Sequence, residues 1–134
     1  MSSEFYFELD SENMFDVLTS TSKVCVLDFT ATWCGPCKKF APILETTVKN
    51  SSIKNMVYFN ESSEDLNIEL LQTSVTFLKI DVDKFSKLAE KFNVSSVPSI
   101  FIYVNGEQQK DKMTGSSLAD KAECIVTYIK KYIK

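Results

Sequence analysis

Cys34 and Cys37, in Trp33-Cys34-Gly35-Pro36-Cys37, form the one cysteine pair in this chain whose spacing alone suggests chemistry. At a helix start, the first thiol of such a pair lies beside unpaired amides and the positive dipole end, which favour thiolate over thiol. Cys34 would then attack a disulfide in another molecule to give a mixed disulfide. Cys37, one turn along, would displace the reduced partner and close a Cys34–Cys37 ring. Structural zinc is the other chemistry open to such a pair, but a zinc site needs two more ligands. Only Cys25 and Cys124 remain, each isolated in an apolar stretch. Those two read as small core hydrophobes, and no metal is expected.

Gly35-Pro36 between the cysteines biases the direction of the chemistry. Proline fixes φ in a first helical turn and adds no polar group there to stabilise the reduced thiolate, which favours a reductant over an oxidant. Asp28 is the next candidate. A carboxylate inside the apolar run Val24-Cys25-Val26-Leu27-Asp28-Phe29 is either buried with a raised pKa or placed at the strand end as a turn cap facing solvent. Trp33, the single tryptophan, reads as a partly exposed platform beside the reactive sulfur or as a core ring.

The absences remove other chemistries. With no histidine, Ser-His and Cys-His catalysis and His-bearing zinc sites cannot be built. A net charge of −3, with every positive charge a lysine, leaves no electrostatic footprint for nucleic acid. No apolar run approaches the ~18 residues of a membrane span. The start, Met1-Ser2-Ser3-Glu4-Phe5-Tyr6-Phe7-Glu8, lacks the basic and apolar character of a secretory leader, so the expected location is cytoplasmic.

These residues need elements to position them. Phe5–Leu9 reads as a short edge strand, and Ser11-Glu12-Asn13 opens a helix carrying Met14, Phe15 and Leu18. Lys23–Thr30 suits a strand covered on both faces. Phe40, Ile43, Leu44 and Val48 recur at helical spacing, so Cys34–Cys37 falls where a strand hands over to a helix, with a kink expected at Pro42. Val75–Val82 and Ser99–Val104 are further strands, with a short helix between them through Phe85, Leu88, Ala89 and Phe92. Asn105-Gly106 is a hairpin turn leading into Gln108–Met113, and Leu118, Ala122, Ile125, Ile129 and Ile133 mark one face of a closing helix. The order implies an α/β fold: one mixed sheet of about five strands with helices on both faces.

Phe29-Thr30-Ala31-Thr32-Trp33-Cys34-Gly35-Pro36-Cys37-Lys38 closely resembles the active-site stretch of thioredoxins, particularly eukaryotic cytosolic ones. The similarity continues through Ala41-Pro42, Phe77–Asp83, Phe92-Asn93-Val94, Val97-Pro98, Asn105-Gly106 and Gly115. The resemblance implies a three-layer α/β/α sandwich and a protein-disulfide reductase. Its only redox group would be the Cys34–Cys37 disulfide, with no cofactor bound. It implies that NADPH recharges the pair through a thioredoxin reductase, that the other partners are disulfide-containing proteins, and that the chain is a monomer. It assigns Asp28 the buried carboxylate that moves the Cys37 proton. Lys79 would sit across from Asp28 as its partner, although an ordinary solvated lysine reads equally well there. Pro98 would be cis, presenting Val97 to the substrate backbone, and Gly115 would complete the groove, though a plain loop before a helix also fits.

One stretch departs from the family. Pro42 to Lys79 is longer than the family usually shows by about twenty residues, more than a structureless loop inside one domain usually runs. Within this extra segment, about 51–74, Asn55–Phe59 reads as a strand and Ser62-Ser63-Glu64-Asp65 as the start of a helix containing Leu66, Leu70 and Leu71. A helical excursion beside the sheet edge is expected, a dedicated partner site being the other reading. The expectation is a single domain over 1–134. The competing function is an adaptor or binding subunit with vestigial cysteines.

Overall fold

A computed structural model describes residues 4–60 and 65–133. The elements follow in the order β1 (Tyr6–Glu8), α1 (Glu12–Thr21), β2 (Val24–Thr30), α2 (Gly35–Lys49), α3 (Ile68–Leu71), β3 (Val75–Asp81), α4 (Ser86–Lys91), β4 (Ser99–Val104), β5 (Glu107–Thr114) and α5 (Ala122–Lys130). Short 3₁₀ turns at Lys54–Met56 and Ser116–Lys121 complete the order. The five strands form one sheet in the order β1-β3-β2-β4-β5. β1 and β2 both run parallel to β3, whereas β4 is antiparallel to both β2 and β5. Among the described residues no helix is long and apolar enough to cross a membrane.

The period-two alternation of β2 divides the core. Val24 and Val26 point to the face covered by α2 and α5, where Phe40, Leu44, Val48, Ile125 and Ile129 pack. Cys25, Leu27 and Phe29 point to the opposite face, under α1 and α4, with Phe15, Leu18, Ala89 and Phe92. This is the expected three-layer sandwich, and β2 is its fully covered central strand. Asp28, in step with Val24 and Val26, belongs to the α2 side, the side on which the cysteine-bearing helix packs.

The hairpin turn is the most local part of the fold. Asn105 and Gly106 both have positive φ, 49° and 85°, as a two-residue turn between β4 and β5 requires. Gly106→Ala should destabilise the protein by about 1–2 kcal/mol, the cost of a Cβ in left-handed backbone. It would be read as a lower urea midpoint at unchanged slope.

The extra segment differs from expectation. Lys54–Met56 is a 3₁₀ turn instead of strand, and only Val57 bridges the sheet, pairing with Val75. Ile53 and Val57 are drawn into the α2-side core, and that burial outweighs the weak strand propensity of an isolated run. The expected helix start at Ser62-Ser63-Glu64 lies outside the described residues; Asp65 and Leu66 precede the helix. α3 begins at Ile68 because the Asn67 side chain caps it, accepting the Leu70 amide at 3.0 Å. Its Leu71 is buried in the α1-side core and its carbonyl accepts the Lys23 amide at 3.0 Å, so the segment is fastened to both sides of the sheet.

The C-terminal part also departs from the expected pattern. Leu118 lies on the 3₁₀ turn ahead of α5, though it is still buried. Cys124 is exposed, not a core residue. Its neighbours in sequence, Ile125 and Val126, turn inward with Ala122 and Ile129, and at 100° per residue position 124 falls off that face.

Candidate active site

The central strand β2 ends at Thr30, and the chain turns through Ala31, Thr32 and Trp33 into α2. Cys34 is the N-cap of that helix: its Sγ accepts the Cys37 amide at 3.1 Å. Pro36 stands in the first turn, where a missing N–H costs nothing, and α2 continues through Pro42 to Lys49. Cys34 and Cys37 are joined as a disulfide with their Cα atoms 5.3 Å apart. Both are buried in a small apolar collar with Ala31, flanked by Val82 and Val97.

On reduction the Cys37 amide, already aimed at Cys34 Sγ, faces a sulfur that can carry charge, and the helix dipole acts in the same sense. Cys37 lies within the helix and has no comparable cap position. The other two cysteines are elsewhere. Cys25 faces the α1-side core, where burial pushes its thiol far up, and Cys124 is on the surface of α5.

Asp28 is buried at 2% exposure, and its Oδ1 has no hydrogen-bond partner among the described residues. Burial therefore pushes its carboxyl up to about 7, with the charge of Lys79 opposing the shift. Lys79 is the register partner of Asp28 on β3, and its ammonium lies 4.4 Å from the ring centroid of Tyr6 on β1. Lys79 is therefore not fully solvated, and among the described residues no hydrogen bond joins it to Asp28. Tyr6, whose hydroxyl donates to the Ala41 carbonyl at 3.2 Å, ties the first turns of α2 to the β1 edge. Burial, then the Asp28 and Glu45 charges, hold its phenol well above the usual range.

Trp33 is 69% exposed, so it is a surface ring and not a core ring. Its indole N–H donates to Asp83 at 2.8 Å, which fixes the ring beside the disulfide. The Val97–Pro98 bond is cis, and the Val97 carbonyl oxygen lies 3.7 Å from Cys34 Sγ. Gly115 is tied to the same loop: its amide donates to the Pro98 carbonyl at 3.0 Å, with φ at 104°. Val97 and Gly115 are thus joined through Pro98 at the loop that touches Cys34, Trp33 immediately precedes Cys34, and Asp28 and Lys79 pair on the sheet under α2. Sequence reasoning missed Asp83 and Tyr6. Asp83 carried a signal, as an acidic residue just past a strand end, but nothing local tied it to the tryptophan fifty positions earlier.

Among the described residues no group of three or more His, Cys, Asp or Glu side chains could hold a metal ion. The chemistry available is the making and breaking of one disulfide, at the head of a helix that covers a buried carboxyl raised to about 7.

The family model described as Thioredoxin matches residues 6–131. Thioredoxin 1 of Plasmodium falciparum is 30% identical over 118 residues, covering 88% of this chain and 92% of that protein. Thioredoxin-2 of Saccharomyces cerevisiae is 36% identical over 102 residues, covering 75% of this chain and 78% of that one. Among solved structures, the oxidised thioredoxin from Plasmodium falciparum superposes with a TM-score of 0.65 at 28% identity, covering 96% of this chain and 99% of that one.

Proposed function

This chain belongs to the thioredoxin family and is a thiol–disulfide oxidoreductase that reduces protein disulfides through Cys34 and Cys37; from that premise we propose how its residues divide the work. Cys34 is the nucleophile, supported by its cap position and the amide aimed at its sulfur. Its thiolate attacks a target disulfide, one target sulfur leaves as a thiolate, and a Cys34–target mixed disulfide remains. Cys37 resolves it: its thiolate attacks Cys34 Sγ, the Cys34–Cys37 bond forms and the second target sulfur leaves. Asp28 takes the Cys37 proton as that thiol ionises, a role favoured by a carboxyl poised near 7. Lys79 tempers the cost of charging Asp28.

Trp33, Val97, cis-Pro98 and Gly115 form the docking rim for the substrate backbone, and Gly35 and Pro36 set the redox bias toward reduction. The other partner is a thioredoxin reductase that recharges the disulfide with electrons from NADPH. We read residues 1–134 as a single domain, monomeric and cytoplasmic, with the segment at about 51–74 as a structural annex to it. The exposed Cys124 thiol and the unpaired Cys25 suit a reducing compartment.

The Cys34–Cys37 bridge at the head of α2 carries this reading, because vestigial cysteines in an adaptor would have no need of that geometry. Cys37→Ser tests it. Without the resolving thiol, mixed disulfides on Cys34 should persist, and pull-down under non-reducing conditions should yield many different proteins, each released by dithiothreitol. A single stoichiometric partner that survives dithiothreitol would instead establish the adaptor.

A further inference from the structure

The docking rim is two loops, one before β4 carrying Ser96, Val97 and Pro98 and one after β5 carrying Gly115. Three hydroxyls join them. Ser96 Oγ is 2.7 Å from Thr114 Oγ1, Thr114 Oγ1 is 2.7 Å from Ser99 Oγ, and Ser99 Oγ is 2.6 Å from the Ser96 carbonyl oxygen. Counting protons fixes the direction of every bond. A carbonyl only accepts, so the single hydroxyl proton of Ser99 goes to Ser96 O. Thr114 must then donate to Ser99, and Ser96 must donate to Thr114. The ring closes with each proton used once, and Ser96 takes part through both its side chain and its backbone. Such directional chains reinforce one another, and Ser99 is buried at 4% exposure, where water competes least.

We propose that the Ser96–Thr114–Ser99 hydroxyl ring is a positioning device for substrate docking: it holds the Val97 backbone and Gly115 at the spacing an extended substrate segment needs. Ser96 immediately precedes Val97, Ser99 follows Pro98, and Thr114 immediately precedes Gly115, so every residue of the rim outside Trp33 is flanked by a member. The direct bond from the Gly115 amide to the Pro98 carbonyl at 3.0 Å joins the same two loops one residue further along. Ser99 and Thr114 are also register partners in the β4–β5 pair, so the ring sits where the sheet ends and the docking loops begin. The ligand class is the backbone of an extended polypeptide flanking a disulfide. None of the three hydroxyls touches the reacting sulfurs.

This inference rests on the proposed rim, and the experiment separates the two. Steady-state reduction of insulin is measured for Thr114→Val, Thr114→Ser and Val97→Asp. Thr114→Val keeps the shape but removes both hydrogen bonds at the hub of the ring, and KM should rise about fivefold, equivalent to about 1 kcal/mol of lost docking free energy, with kcat within twofold. Thr114→Ser restores the hydroxyl and should restore KM, which a purely structural effect of side-chain size would not produce. An unchanged KM for Thr114→Val alongside a raised KM for Val97→Asp overturns the ring and leaves the rim standing. Unchanged KM values for both overturn the rim and the ring together.

Discussion

Cys34→Ser should abolish insulin reduction, lowering the rate by on the order of 10³-fold or more, to the background that dithiothreitol gives alone. The reason is local. Only the sulfur at position 34 combines the cap position with the Cys37 amide at 3.1 Å, immediately after the exposed Trp33. A serine hydroxyl placed there accepts the same amide but does not ionise near neutral pH, and disulfide exchange proceeds through the thiolate. Cys25→Ser and Cys124→Ser serve as internal controls for reactivity, because the first thiol is buried and held protonated and the second is remote on α5. Both should keep the wild-type insulin-reduction rate. Activity in Cys34→Ser, or its loss in Cys124→Ser, would place the reactive sulfur elsewhere.

The parts of this molecule that could be read from sequence are those set by short-range rules. The strand at Val24–Thr30, the CxxC helix start and the Asn105-Gly106 turn each depend on a handful of adjacent residues, and each is where the pattern puts it. Burial of Asp28 follows from its place in an unbroken apolar strand. Its neighbour across the sheet, Lys79, does not follow from the apolar pattern: register between β2 and β3 is a non-local property. The segment at 55–59 shows the limit most clearly. Its apolar run suits a strand, yet the chain forms a 3₁₀ turn because Ile53 and Val57 have a core to enter. Cys124 fails for the opposite reason, since apolar neighbours in sequence say little without the helical phase. The hydroxyl ring was invisible because Ser96, Ser99 and Thr114 are ordinary surface-type residues until the sheet brings them within 2.7 Å.

Replacing Asp28 by asparagine should stabilise the protein by about 4 kcal/mol at about pH 8 and leave stability near pH 4 almost unchanged. The carboxyl is raised from 3.8 to about 7 by burial, with Lys79 only partly offsetting it. Between those two values the folded state holds a proton that the unfolded state has released, so stability falls as pH rises. The stabilising effect of the bound proton is complete below the unfolded value and lost once pH passes about 7. Asparagine carries no charge to bury, so its variant should lack that slope. Urea midpoints across this range check the prediction, and parallel pH profiles for the two proteins would show that Asp28 is not the buried acid described here. The same substitution removes the proposed acceptor for the Cys37 proton, so resolution of the mixed disulfide should slow near neutral pH and lose its rise through about pH 7. A protein made more stable and slower by one isosteric change would link the two properties to a single carboxyl: the charge that makes Asp28 a base is the charge the core disfavours.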